Sequence, residues 1–482
     1  MLNELLMLQI KKELEDIVGI EWVQDCAADN LPASIDTWWV PRMMLMKRRE
    51  VPVSKVIVFP KTAEEIGEIL RIARFYGMPV IPRGGGAGDT GGIVPVKESI
   101  MLDLKRMNSI VEIDEISHIV TCETGMYYAD LEQQLNARGY TTNHLPASMF
   151  CSTIGGFIAT RGSGVLSSKY GKLEDLVVTM KVVLPNGRIM KTAPVPKHST
   201  GPQFSFLFMG SEGTLGIVYE VSLKIFQLPE TRRFLVFTFS SLHNALEAGR
   251  QVMIKGIKPS VVRVYDEGDT RRMVAPVLGM DELPKSLLIM SFDGFERIVK
   301  AEMEVAREVC LHQGGTLIDE QIGIDWWMHR YDFYYPPFTL ESTPFMYAVC
   351  DTVAVYSKLE RIYVEMKKQL EEKFKDYELE YIAHFSHWYE WGTIIYPNFI
   401  VRNVPNDPYE AYKLYDDIWK TAIEIMIKFG GCLNEHHGVG LKLGKYMPTY
   451  WQDEYNLLKV IKKALDPDNI LNPGKMGLEA KV

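Results

Sequence analysis

Two adjacent histidines, His436 and His437, lie in the short run NEHHGVG at residues 434–440. Imidazole exchanges a proton near neutral pH, so a pair inside a glycine-bounded loop points to proton transfer. Three other loops have the composition of anion cradles. The first, PRGGGAGDTGG at residues 82–92, formally satisfies GxGxxG through Gly86, Gly88 and Gly91. That motif marks a Rossmann site only where a helix opens directly behind it, and here IVPVKESIMLDL follows, with Pro95 and strand-like alternation. The Rossmann reading fails on context. What remains is a run of residues without Cβ, whose backbone N–H groups can turn together toward a pyrophosphate. The second loop, ASMFCSTIGGFIATRGSG at residues 147–164, sets the hydroxyls of Ser148, Ser152, Thr153, Thr160 and Ser163 beside Gly155 and Gly156. The third is GSEGTLGI at residues 210–217.

These loops need elements to hold them. From Val51 the pattern reads as strand (VSKVIVFP), helix (TAEEIGEILRIARFYG, ending at Gly77) and strand (MPVIP). SIMLDL, SIVEID and HIVTCETG continue as strands, YADLEQQLNARG as a helix, and residues 147–171 as glycine-rich turns. LVVTMKVVLPNGRIM and TLGIVYEVSLKIF are strands again. Near Pro229 the glycine density falls, and RRFLVFTF followed by LHNALEAGRQVMIKG opens a second α+β region. A long helix, YEAYKLYDDIWKTAIEIMIKFGG, precedes the histidine loop. The expected division is an N-terminal helical segment at 1–50, a cofactor-binding domain at 51–228, a cap at 229–430 and a returning segment at 431–482.

The 482 residues can bury a large core, and 47% hydrophobic with 24% charged residues is ordinary for a globular chain. A net charge of -9 argues against a nucleic-acid binder. Six scattered cysteines without a CxxC pair suit a reducing, cytoplasmic setting and offer no iron–sulfur or zinc set. The N-terminus lacks the features of a signal peptide, and no apolar run approaches the roughly 20 residues of a transmembrane segment.

PRGGGAG, CSTIGGFIATRGSG with YGKLEDLVVTMKVVLPNG, and STGPQFSFLFMGSEGTLGI together resemble the FAD-binding domain of the vanillyl-alcohol oxidase and p-cresol methylhydroxylase (PCMH) superfamily. The closing ALDPDNILNPGK is similar to its D-lactate dehydrogenase and glycolate oxidase branch. PSVVRVYDE, SHWYEWGTIIY and GGCLNEHHGVG resemble alkyldihydroxyacetonephosphate synthases. The implied fold is α+β, a two-subdomain PCMH-type FAD-binding domain with an α+β cap built on an antiparallel sheet. The implied cofactor is FAD, held by Pro82, Arg83, Gly84, Gly85, Gly86, Ala87, Gly88, Ala147, Ser148, Thr153, Gly156, Thr160, Arg161, Ser163, Glu212, Gly213, Thr214, Gly216 and Ile217. Ala87 stands where members that attach FAD covalently through this loop carry histidine, which implies non-covalent FAD.

By the same resemblance Arg263, Tyr396, His436 and His437 are the catalytic set, and Arg263, Tyr389 and Tyr396 meet the substrate. The dehydrogenase branch holds a divalent metal with two histidines and a glutamate. Tyr389 and Tyr396 stand at the histidine places here, and neutral phenol is a poor ligand, so no metal is expected. His384 and His387, in a strand-like segment, read as structural. Where the synthases place a phosphate-gripping arginine, this chain has YYPPFT around Pro336 and Pro337, which disfavours a phosphorylated substrate. The aromatic cluster Trp326, Trp327, Tyr331, Phe333, Tyr334 and Tyr335 fits a substrate pocket or a packed cap core equally well.

Three functions follow. The first is hydride transfer to FAD from a C–H next to oxygen, in a hydroxy acid or other alcohol. The second is alkyl transfer of the ether-lipid type. The third is service as the FAD subunit of an electron-transfer complex, with an iron–sulfur protein or an electron-transferring flavoprotein as partner. A homodimer is left open.

Overall fold

The computed structural model describes residues 4–280, 284–332 and 346–480. Its first unit is the expected strand, helix and strand: Val56–Val58, Ala63–Tyr76 and Val80–Arg83. Thr62 caps the helix by accepting from the Glu65 N–H at 3.1 Å, and Gly77 ends it at φ 63°. Ile66, Ile69, Leu70 and Ala73 recur at helical spacing and form its buried stripe. Both strands pair in parallel with Ile100–Asp103, so the first glycine loop leaves the C-terminal end of a parallel strand.

A second, antiparallel sheet orders Ile110–Asp114, Ile119–Glu123, Ile217–Lys224, Val177–Val183 and Ile189–Lys191. The third loop feeds directly into its middle strand. One expectation is corrected here: the stretch read as continuous glycine-rich turns contains the helix Ile154–Thr160. Gly155 and Gly156 are poor helix formers, but the Thr153 hydroxyl accepts from the Gly156 N–H at 3.3 Å. Ile154, Phe157 and Ile158 are buried, so tertiary packing overrides the weak local propensity.

The later part of the chain builds an antiparallel sheet. Its order is Thr316–Leu317, Thr231–Phe239, Ser286–Gly294, Val261–Asp266, Leu379–Trp388, Gly392–Val401 and Met346–Val349. Helices Leu242–Ile254, Glu296–His312 and Tyr356–Lys373 pack on it. Along Val261–Asp266 the side chains alternate as a strand must. Val262 and Val264 join the main core, whereas Val261 and Tyr265 join a smaller cluster with Leu166 and Trp326. Arg263 therefore projects on the Tyr265 side.

The closing segment returns to the first sheet, where the Val80 N–H donates to the Ile470 carbonyl and the Asn472 N–H to the Val80 carbonyl, each at 2.9 Å. Asn472 then ties two glycine loops together, donating from Nδ2 to the carbonyls of Gly92 (3.1 Å) and Glu212 (2.7 Å).

Candidate active site

The three glycine loops converge. A Cβ built on Gly84 would lie 2.1 Å from the Thr153 hydroxyl oxygen, and one on Gly85 would lie 1.8 Å from the Cys151 carbonyl oxygen. A Cβ on Gly213, at φ +69°, would meet Pro82 at 2.7 Å. Loops far apart in sequence are thus in backbone contact, at separations only glycine permits. Between them and the antiparallel sheet that carries Arg263 and Tyr396 runs a cavity of about 440 Å³. The residues present fit the FAD expected from the resemblance: a Cβ-free cradle with backbone N–H groups, hydroxyls from the second loop, and apolar walls that include Trp39 and Ile217.

Most of the residues expected to hold FAD line this cavity: Pro82 through Gly88, Ala147, Ser148, Thr153, Gly156, Thr160, Ser163, Glu212, Gly213, Gly216 and Ile217. Three expected site residues do not. Arg161 turns outward to pair with Glu174, and its side chain is 49% exposed. Thr214 is buried inside the third loop, donating to the Ser211 carbonyl at 2.7 Å. Tyr389 stacks on Trp391 and donates to Glu435 Oε1 at 2.7 Å, so it acts behind the cavity wall. Glu212 lines the cavity, yet its carboxylate accepts from the Val439 and Gly440 N–H groups and so secures the histidine loop.

Arg263, Tyr396, His436 and His437 all line the same cavity. Strand register places part of this set. Tyr265 lies opposite His384, and His384 opposite Tyr396, giving one row across three strands. The His384 ring stacks on Tyr396 at 4.6 Å. Tyr396 also lies 5.8 Å from the His436 ring and 5.7 Å from the His437 ring. The Arg263 guanidinium lies over Tyr265 and Trp326, at 5.9 and 5.5 Å. No carboxylate pairs with it among the described residues: Glu267 pairs with Lys285, and Asp266 accepts from Tyr363 and the Ala383 N–H.

The histidine loop is organised by a residue that sequence reading missed. Buried Asp351 accepts from the N–H groups of Glu435 (2.7 Å) and His436 (3.2 Å), from Asn434 Nδ2 (3.0 Å) and from His437 Nδ1 (2.6 Å). Burial opposes its ionisation, but His437, His436 and these donors hold it well below the usual carboxylate range. Burial likewise opposes charge on His437, yet Asp351 and Asp89 raise its pKa to about 9, so it is an imidazolium at neutral pH. Asp351, His436 and His437 bring three metal-type donor atoms within 4.8 Å of one another. Both Nδ1 atoms already meet carboxylates, since His436 Nδ1 lies 2.7 Å from Glu435 Oε2. Glu435 also accepts from Ser163 and pairs with Lys172 at 2.9 Å, and despite burial these neighbours keep it ionised.

His384 and His387, read as structural, both line the cavity. His387 Nδ1 shares a hydrogen with the Ser167 hydroxyl at 2.6 Å, and burial keeps the ring neutral. His384 Nδ1 meets Asp269 Oδ2 at 2.8 Å. Of the aromatic cluster, Trp326 and Tyr331 line the cavity, Trp326 also donating to the Tyr265 hydroxyl at 2.7 Å. Phe333, Tyr334, Tyr335, Pro336 and Pro337 lie outside the described residues. Arg330, unforeseen, brings a further guanidinium to the cavity and lies over Trp327 and Tyr331 at 3.9 and 4.2 Å. Among the described residues no helix is long and apolar enough to cross a membrane.

Comparison with known proteins agrees with this geometry. Residues 54–193 match the FAD binding domain, and residues 228–476 match the C-terminal domain of FAD linked oxidases. The chain is 30% identical to alkyldihydroxyacetonephosphate synthase of Trypanosoma brucei brucei over 476 residues, covering 92% of this chain and 75% of that protein. It is 28% identical to glycolate oxidase subunit GlcD of Bacillus subtilis (strain 168) over 475 residues, covering 97% and 96%. The structure of p-cresol methylhydroxylase with substrate bound shares the fold, with a TM-score of 0.79 at 18% identity over 99% of this chain and 98% of that one. With an FAD cradle, the matching C-terminal domain and relatives along nearly its whole length, the chain belongs to the FAD-linked oxidase family and is an FAD-binding oxidoreductase.

Proposed function

We propose that this enzyme oxidises a small organic anion bearing a hydroxyl on the carbon that loses hydrogen, a 2-hydroxy acid being the simplest case. The observation that carries this reading is Arg263: a guanidinium on the cavity wall, flanked by aromatic rings and without a carboxylate partner among the described residues. A fixed fork of donors in a partly desolvated site suits a carboxylate. FAD, bound non-covalently along the three loops, supplies a two-electron acceptor for hydride from a C–H next to oxygen.

The chain's own residues orient the substrate and manage charge. Arg263 anchors the anionic end, and Tyr396, packed against His384 and the histidine loop, aligns the hydroxyl end. His437 carries its proton at neutral pH, so it serves as a positive charge beside the oxygen as electron density builds there. Anaerobic mixing of the FAD-loaded protein with a panel of 2-hydroxy acids and phenolic alcohols tests the reading. Bleaching of oxidised flavin absorbance by a 2-hydroxy acid supports it, and bleaching by none of them, or by phenolic alcohols alone, removes it.

Arg330 favours a second reading. Beside Arg83, which pairs with Asp103, the guanidinium groups of Arg263 and Arg330 on one cavity suit a more highly charged anion, such as the phosphate of an acylated dihydroxyacetone, and hence alkyl exchange without net redox change. Incubation with acyl-dihydroxyacetone phosphate and a fatty alcohol decides it by the presence or absence of an ether product.

A further inference from the structure

A second histidine–carboxylate pair lines the same cavity. His384 is carried by the strand Leu379–Trp388, and Asp269 ends the short helical turn that follows the strand bearing Arg263. Their side chains are 13% and 2% exposed, and Nδ1 lies 2.8 Å from Oδ2. A neutral ring donating from Nδ1 to a carboxylate keeps its free lone pair on Nε2. His384 lines the cavity and lies flat on Tyr396, the residue directly opposite it across the strands.

We propose that His384, oriented by Asp269, is the catalytic residue that takes the proton from the substrate hydroxyl. This rests on the hydroxy-acid reading above. In that step the substrate O–H bond breaks and its proton forms a bond to His384 Nε2. The electron pair left on oxygen completes the C=O bond, as the C–H hydrogen and its electron pair leave to FAD.

His437 is less suited to this task because it is already protonated, and His436, which likewise directs Nδ1 at a carboxylate, lies farther from Tyr396, at 5.8 Å against 4.6 Å for His384. The groups facing His384 are Asp269, Arg263, Tyr265, Tyr396 and His436, with Asp266 held behind it by the Ala383 N–H. Burial, helped by the positive charge of Arg263, keeps its ring neutral. Burial also raises Asp269, to about 7, against the pull of Arg263. The pair is therefore competent as an acceptor once Asp269 has lost its proton, and kcat rises as pH climbs through about 7.

The test uses the full-length FAD-loaded protein and the hydroxy acid that reduces it fastest. His384→Gln is expected to lower kcat by roughly 100-fold or more, with KM within about threefold and FAD retained. Asp269→Asn is expected to lower kcat by about tenfold and to flatten the rise near neutral pH. A second readout does not depend on turnover: ¹⁵N NMR of the histidine rings, with and without FAD, should show His384 protonated on Nδ1 and bare on Nε2 at pH 8. His384→Gln turning over within threefold of wild type, or an Nε2 that carries the proton at pH 8, overturns the proposal. If no hydroxy acid reduces the wild type, the proposed reaction falls, while the NMR result still decides whether His384 is built as an acceptor.

Discussion

The cavity is flanked by two histidine–aspartate pairs that share a contact and differ in charge. Asp351–His437 sits where the C-terminal segment turns back, and Asp269–His384 sits at the antiparallel sheet that carries Arg263. Asp351 collects donors from Asn434, Glu435, His436 and His437, and this stabilises the carboxylate enough to carry an imidazolium beside it. At Asp269 the side-chain partner is His384, and burial disfavours charge on both members. The difference teaches that, at equal burial, the charges around a histidine decide its state: Asp351 and Asp89 favour the imidazolium at His437, whereas Arg263 disfavours it at His384. One pair is then fit to supply positive charge and the other to accept a proton, a division expected wherever environments push two titratable groups apart.

The largest expected effect breaks the charged pair outright. Asp351→Asn leaves His437 without its counter-ion and removes an acceptor from the loop backbone, at a cost of about 3 kcal/mol, read as a fall in Tm. Turnover should drop by roughly 100-fold at pH 7. Next is Arg263→Met, which leaves both pairs intact and should raise KM for an anionic substrate by about 10- to 100-fold with a smaller change in kcat. Equal losses in kcat and kcat/KM would instead place Arg263 in the chemical step.

A third measurement uses the sign of the His437 shift. Its folded pKa, about 9, lies above the ordinary imidazole value, so its stabilisation is complete below about pH 6.5 and is lost as pH rises through 9. The Tm gap between wild type and Asp351→Asn should therefore narrow between pH 7 and 10. Asp351 is shifted the other way, and its contribution should fade as pH falls below the usual carboxylate range. The smallest effect is expected for Ser167→Ala. It frees a neutral His387 from one hydrogen bond and should change kcat less than about threefold, which separates a wall histidine from the two paired ones.

Local chemistry was legible from the residues. The helix from Ala63 to Tyr76 carries its cap and terminator in Thr62 and Gly77, and the glycines at 84, 85 and 213 announce close backbone approach before any partner is known. The helix at 154–160 was hidden, because its glycines argue against it and only packing sustains it. Arg161 and Thr214 sit in motif-like stretches, yet their side chains point away from the cavity, a direction that loop sequence does not encode.

By itself the sequence determined most of the strand and helix pattern and the identity of the paired histidines, which depend on residues close together in the chain, and its resemblance to known FAD-binding domains implied the cofactor class. Tertiary structure alone decided which carboxylate meets which ring. Asp351 reaches His437 across 86 residues and Asp269 reaches His384 across 115. Contacts at that separation are set by sheet register and by the return of the C-terminal segment, and it is these contacts that fix the charge on each imidazole.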